Sequence, residues 1–211
     1  MIESHVFDMW AEGYDEEVRL ADENDEYPFA GYKKVMNAIY TDVMEKRPAQ
    51  VLDIGMGTGT LAVKLYEGGN RITGVDFSEN MMASAKPKMP NADFYQFDFA
   101  QGLPPEISGM KYDFIVSTYA LHHLTDGLKI SFIKSLLPYL NEEGVILIGD
   151  IGFPTRIEFD ACKARYGPED WDEDEYYFIF SEISEGLAGC CRVSYAQVSH
   201  CAGVMKIRPL G

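Results

Sequence analysis

The stretch Val51-Leu52-Asp53-Ile54-Gly55-Met56-Gly57-Thr58-Gly59-Thr60-Leu61-Ala62 decides the fold. A mostly apolar run meets three glycines at alternate positions, and a helical pattern follows. This predicts a buried strand, a tight turn and a helix start. Glycine suits a backbone that turns sharply or lies against a ligand, where a Cβ would clash. The unpaired N–H groups of the helix start then face whatever rests on the turn. The segment is therefore built to hold a nucleotide-like ligand at the carboxyl end of its first strand.

The chain on either side keeps the same rhythm. Arg71 to Asp76 is a short strand ending in an acid, 17 residues after Gly59. An acid there can accept hydrogen bonds from both hydroxyls of a ribose. Asp93 to Phe97 reads as a third strand and runs into Asp98-Phe99. A carboxylate at that point can accept from the exocyclic amine of a base, with an aromatic ring beside it. Tyr112 to Ser117 is a fourth strand leading into Ala120-Leu121-His122-His123, and Val145 to Asp150 is a fifth. Helical spacing falls over 29–46, over 61–66, after a Ser78 cap, and over 127–140 behind Asp126. Strands alternating with helices predict a parallel sheet covered on both faces. Right-handed crossovers then bring the carboxyl ends of the strands to one edge. Later, 154–165 and 177–187 read as helices. Segments 190–197 and 203–208 read as a hairpin, which must be antiparallel.

These features, in this order, resemble the class I methyltransferases that use S-adenosylmethionine. The likeness runs from Trp10 to Asp150 and rests on the D-x-G-x-G-x-G turn, the acid after strand two, the Asp-Phe after strand three and the Ala-Leu-His-His after strand four. Trp10-Ala11-Glu12-Gly13-Tyr14-Asp15 is similar to an N-terminal signature of small bacterial members. The resemblance implies an α/β fold: a Rossmann-like, doubly wound seven-stranded sheet, mostly parallel with an antiparallel last strand. It implies one domain over 1–211, with 1–30 and 151–188 as lid and acceptor-pocket segments. It also implies cofactor contacts from Tyr14, Gly55, Gly57, Gly59, Asp76, Phe77, Asp98 and Phe99. Asp53 is expected either to join these cofactor contacts or to orient the loop by accepting backbone N–H bonds.

Composition limits the acceptor. The formal net charge of −16 opposes nucleic acid, because counterion release needs clustered Lys and Arg. It equally disfavours anionic membranes. The chain lacks the Asn/Asp-Pro-Pro-aromatic and Pro-Cys motifs of DNA methyltransferases, so a small-molecule acceptor is expected. The first ten residues hold two acids and no apolar block, so no secretory signal is read and a cytoplasmic location is expected. Cys162, Cys190, Cys191 and Cys201 lack zinc-finger spacing and are expected to be reduced, with Cys191 and Cys201 able to face each other across the hairpin. A monomer or homodimer is expected.

For chemistry, His122 and His123 follow strand four at the ligand-facing edge, and His200 falls in the turn before the antiparallel strand, at the same edge. Asp150 ends strand five there too. A histidine base is needed only for an acceptor that arrives protonated. No i, i+3 or i, i+4 histidine spacing supports a metal centre, and none is expected. Arg156 reads as a surface residue, and the acidic run 169–175 as a solvated loop. Two other readings share the core. A nicotinamide-dependent oxidoreductase would use the same turn and ribose acid, and a non-catalytic protein could bind the same cofactor without turnover.

Overall fold

A computed structural model describes residue 18 and residues 21–24, 26–167 and 171–210. Seven strands lie side by side: β1 (Gln50–Ile54), β2 (Arg71–Asp76), β3 (Asp93–Gln96), β4 (Tyr112–Thr118), β5 (Leu140–Phe153), β7 (Cys191–Gln197) and β8 (Ala202–Pro209). An eighth, β6 (Phe178–Ile179), pairs only with the end of β5. The order is β3-β2-β1-β4-β5-β8-β7. The first five strands are parallel, and β8 is antiparallel to both neighbours. Its amino end therefore lies at the edge where β1, β2, β4 and β5 finish.

The helices are α1 (Tyr32–Met44), α2 (Thr60–Glu67), α3 (Glu79–Ala85), α4 (Asp126–Leu136), α5 (Arg156–Tyr166) and α6 (Phe180–Leu187). Strand side chains alternate between faces, and this divides the core in two. Val51, Val116 and Leu147 pack with Val35 and Ile39 of α1 and with Leu61 and Leu65 of α2. Leu52, Ile54, Ile115, Ile146 and Ile148 pack with Ile133 and Leu136 of α4 and with Ile183 and Leu187 of α6.

Three local readings are corrected. The helix expected over 127–140 ends at Leu136, followed by a 3-10 turn over Leu137–Tyr139. Pro138 lacks the N–H that would continue the α-helical ladder. The helix expected from Tyr177 starts at Phe180, because Phe178 and Ile179 instead pair with Gly152 and Phe153. That pairing makes an eight-stranded sheet where seven strands were expected, and β5 can supply it because it runs on for 14 residues. Cys191 lies opposite Pro209, not Cys201, and all four cysteines are free thiols. Among the described residues, no helix is long and apolar enough to cross a membrane.

Helix α1 sits directly on β5. A Cβ built on Gly149 would lie 2.4 Å from Val35 Cγ1 and 2.8 Å from Ile39 Cδ1, both in fully buried side chains. Gly149→Ala should therefore lower the unfolding free energy by ~1–3 kcal/mol, the usual cost of overpacking. Equilibrium denaturation by urea checks this; an unchanged midpoint would mean that α1 has room to shift.

Candidate active site

The turn after β1 places its three glycines in left-handed backbone, at φ +67° for Gly55, +55° for Gly57 and +79° for Gly59. Each also has its own reason to lack a side chain. A Cβ on Gly55 would meet Ala120 Cβ at 2.4 Å, and one on Gly59, the residue before α2, would meet Ala85 Cβ at 3.0 Å. A Cβ on Gly57 would meet no protein atom; Gly57 faces a cavity.

Asp76, at the end of β2, holds this turn. Its Oδ2 accepts from Gly57 N at 2.8 Å and its Oδ1 from Ser78 N at 2.9 Å. The carboxylate is buried yet lines the cavity, together with Phe77, Met81 and Phe99. Two expectations change here. The Asp98 side chain is absent from the cavity lining, because it accepts from Ala100 N and Gln101 Nε2 and caps a 3-10 turn. Asp53 does not anchor the loop through its Oδ1, which is buried with no hydrogen-bond partner among the described residues. Burial, and then the charge of Asp76, pushes the Asp53 carboxyl up to about 7. Tyr14 and Trp10 lie outside the described residues.

The cavity continues past Ala120 to a second, polar end. His122 and His123 occupy the 3-10 turn Leu121–His123 after β4. His122 Nδ1 lies 2.6 Å from Asp150 Oδ1, and both residues are buried. Asp150 is itself fixed by the N–H groups of Leu121 and Ile151. Glu175 faces the pair, its Oε1 3.5 Å from His122 Nε2 and 3.7 Å from His123 Nδ1. Burial alone would lower the His122 pKa, but the charge and hydrogen bond of Asp150, with Glu175, raise it. Burial and neighbouring His122 push His123 down to about 3, so it is neutral at physiological pH. Burial raises the carboxyl of Glu175. Phe29, Tyr32 and Tyr119 form the aromatic wall of this end. Tyr119 is the one non-glycine with positive φ among the described residues, at +49°, a strained geometry that collects at functional sites.

Glu175 belongs to the run 169–175 read as a solvated loop; within its described part Asp172, Glu173 and Asp174 are exposed, while Trp171 and Glu175 depart from that reading. Trp171 is buried and stacks on Tyr27, 4.9 Å between ring centroids. The Tyr27 and Tyr177 hydroxyls are hydrogen-bonded. Tyr176 N donates to His122 O at 2.8 Å. Lys129, fully buried on α4, donates to Tyr176 O and to Asp126 Oδ1. A signal was present in the sequence: Lys129 shares the buried stripe of α4 with Phe132, Ile133 and Leu136, and a lysine there requires buried polar partners. His200 is not brought to the cavity. Its Nε2 lies 2.6 Å from the Tyr166 hydroxyl and its ring stacks on that residue. Arg156 pairs with Glu182 on the surface.

Fold and site together define a ligand-binding α/β domain with the cavity at its strand ends. Residues 51–144 match the family described as Methyltransferase domain. The chain is 34% identical to an uncharacterized methyltransferase of Geobacillus thermodenitrificans, covering 95% of this chain and 94% of that one. It is 36% identical to another from Oceanobacillus iheyensis, covering 97% and 96%. The chain belongs to this methyltransferase family. Among solved structures, it is similar to a complex of DhpI with SAH (TM-score 0.72, 19% identity, 97% and 94% covered). It is also similar to the magnesium protoporphyrin IX methyltransferase of Synechocystis PCC 6803 with bound SAH (TM-score 0.70, 18% identity, 96% and 97% covered). At these identities the two likenesses establish the fold.

The elevated carboxyl of Asp53 gives stability a definite pH dependence. Its folded pKa of about 7 exceeds the ordinary value of 3.8. Its contribution is therefore complete below about pH 4 and is lost as pH rises through 7. Asp53→Asn should flatten the fall in stability between pH 5 and pH 8 and stabilise the protein at pH 8, by roughly 1–3 kcal/mol. Parallel denaturation of the two proteins at both pH values checks this; identical pH slopes would refute it.

Proposed function

We propose that this chain transfers a methyl group from S-adenosylmethionine to a small-molecule acceptor. One observation carries the reading: a single cavity joins the glycine turn and Asp76 to the polar end at His122, His123 and Glu175. At the first end, Asp76 is the acceptor for the ribose hydroxyls. A carboxylate accepts up to about four hydrogen bonds, so holding the turn and holding a diol are compatible. Gly57 leaves room for the ligand, the N-terminus of α2 points at it, and Phe77, Met81 and Phe99 flank the adenine. The SAH named with the DhpI and Synechocystis structures supports this choice of ligand.

The cofactor supplies a methyl carbon already activated by its sulfonium. What remains for the protein is alignment and exclusion of water, and alignment can lower the barrier by about 7–11 kcal/mol. Phe29, Tyr32 and Tyr119 enclose the acceptor end and suit a partly apolar small molecule. Where the acceptor carries a proton, that proton leaves at the His122–His123–Glu175 end. Asp150 fixes the tautomer of His122 so that Nε2 faces the reaction. His200 is given no part in the chemistry. The net charge of −16 argues against nucleic acid as the acceptor.

Calorimetric titration with S-adenosylmethionine, S-adenosylhomocysteine and NAD tests the cofactor. Micromolar binding of the first two is expected. Asp76→Ala, with folding checked by its melting curve, should weaken both at least tenfold, a loss of about 1.4 kcal/mol or more. Preference for NAD, or no binding of the sulfur ligands, would overturn the reading.

A further inference from the structure

The polar end of the cavity has the composition and spacing of a metal site. One ligating atom from each of His122, His123 and Glu175 falls within 4.8 Å of the others. The two pairs involving Glu175 Oε1 are at 3.5 and 3.7 Å. Metal–ligand bonds of about 2.0–2.2 Å in tetrahedral geometry place ligand atoms roughly 3.3–3.5 Å apart, so only small movements are needed. Two imidazoles and one carboxylate form a donor set for divalent first-row transition metals.

The support behind these ligands is also in place. Asp150 binds His122 Nδ1 and leaves Nε2 as the donor atom. This carboxylate–histidine arrangement fixes ligand orientation and basicity in metal centres. Asp150 is in turn held by two backbone N–H groups. The Tyr176 N–H to His122 C=O bond joins the two ligand-bearing segments directly. Three ligands from protein leave a fourth position, and all three residues line the cavity.

We propose that His122, His123 and Glu175 bind one divalent transition-metal ion, with Zn2+ as the representative, whose open position faces the methyl acceptor. The ion site stands on its own geometry; its role in turnover rests on the methyl-transfer reading above. An acceptor hydroxyl or thiol entering the open position gives up its proton to solvent at the cavity mouth, because the cation stabilises the resulting anion. A lone pair of that oxygen or sulfur then forms the bond to the methyl carbon. The methyl–sulfonium bond breaks at the same time, and its electron pair returns to sulfur. The substrate class implied is a small, partly apolar molecule bearing a metal-binding hydroxyl or thiol.

The test is metal binding by the full-length protein, independent of turnover. Chelator-treated protein is titrated with Zn2+ by calorimetry, and with Co2+ by visible absorption, whose ligand-field bands report tetrahedral coordination. One Zn2+ ion per chain at micromolar affinity or tighter is expected. Glu175→Gln should weaken it at least tenfold. Asp150→Asn should weaken it about 10–100-fold, as loss of an orienting partner does. Melting curves establish that each variant is folded, and either variant alone suffices. No Zn2+ binding, or binding equally strong in the folded variants, overturns the proposal, since adventitious ions on an acidic surface would be untouched by these changes. S-adenosylhomocysteine titrated in parallel separates the two readings. Its binding without Zn2+ sinks the metal site alone, and Zn2+ binding without it sinks the methyl-transfer reading alone.

Discussion

The Asp76 carboxylate accepts one N–H from Gly57 and another from Ser78, and so ties the turn after β1 to the end of β2. Without that tie, a run of left-handed glycines would have little to fix it, because glycine loses more conformational entropy on ordering than any other residue. With it, three consequences follow. The amino end of α2 points into the cavity, Gly57 presents bare backbone, and Ser78 is placed to cap α3 through its bond from Met81 N. One charge-assisted acceptor thus organises the floor of the site while lining it.

The same carboxylate explains its neighbour. Asp53 is buried close enough to Asp76 for that charge to oppose its ionisation, after burial has already raised its pKa. Near neutral pH the pair carries less than two full charges. Asp76 has N–H partners, whereas the carboxyl that resists ionisation is Asp53, whose Oδ1 has none. A cation resting on the turn would favour ionised Asp53.

What could be read from the sequence and what could not divide along range of interaction. The glycine turn, the acid at the end of β2 and the parallel sheet follow from local spacing and from the handedness of crossovers, and they are all present. Phe99 lines the cavity, while Asp98 caps a 3-10 turn through Ala100 N, two residues away. His200 lies at the correct sheet edge, but the antiparallel turn presents it to Tyr166. Glu175 escaped notice because an acidic run has no periodicity. Its neighbour Tyr176 is held through its carbonyl by Lys129, 47 residues before Tyr176. Helical histidine spacing is absent from the sequence; what sets adjacent histidines of a 3-10 turn beside a carboxylate from a distant segment is tertiary contact that no local pattern records.

The matched family region, residues 51–144, contains the glycine turn, Asp76, Phe99 and both histidines of the turn. It stops short of Asp150 and Glu175, and it begins after Phe29 and Tyr32. The matched region therefore contains the glycine-turn end of the cavity and delivers two histidines to its far side. What those histidines become depends on residues outside the core. Asp150 sets which nitrogen of His122 is available, Glu175 supplies a carboxylate, and the aromatic residues before and within α1 set the shape. A chain that kept residues 51–144 but replaced the Lys129-bound segment would retain the ligand turn and lose the facing carboxylate. The segment carrying Glu175 is thus held in place by a few polar contacts from distant parts of the chain: Lys129 on α4, the carbonyl of His122 and the hydroxyl of Tyr27.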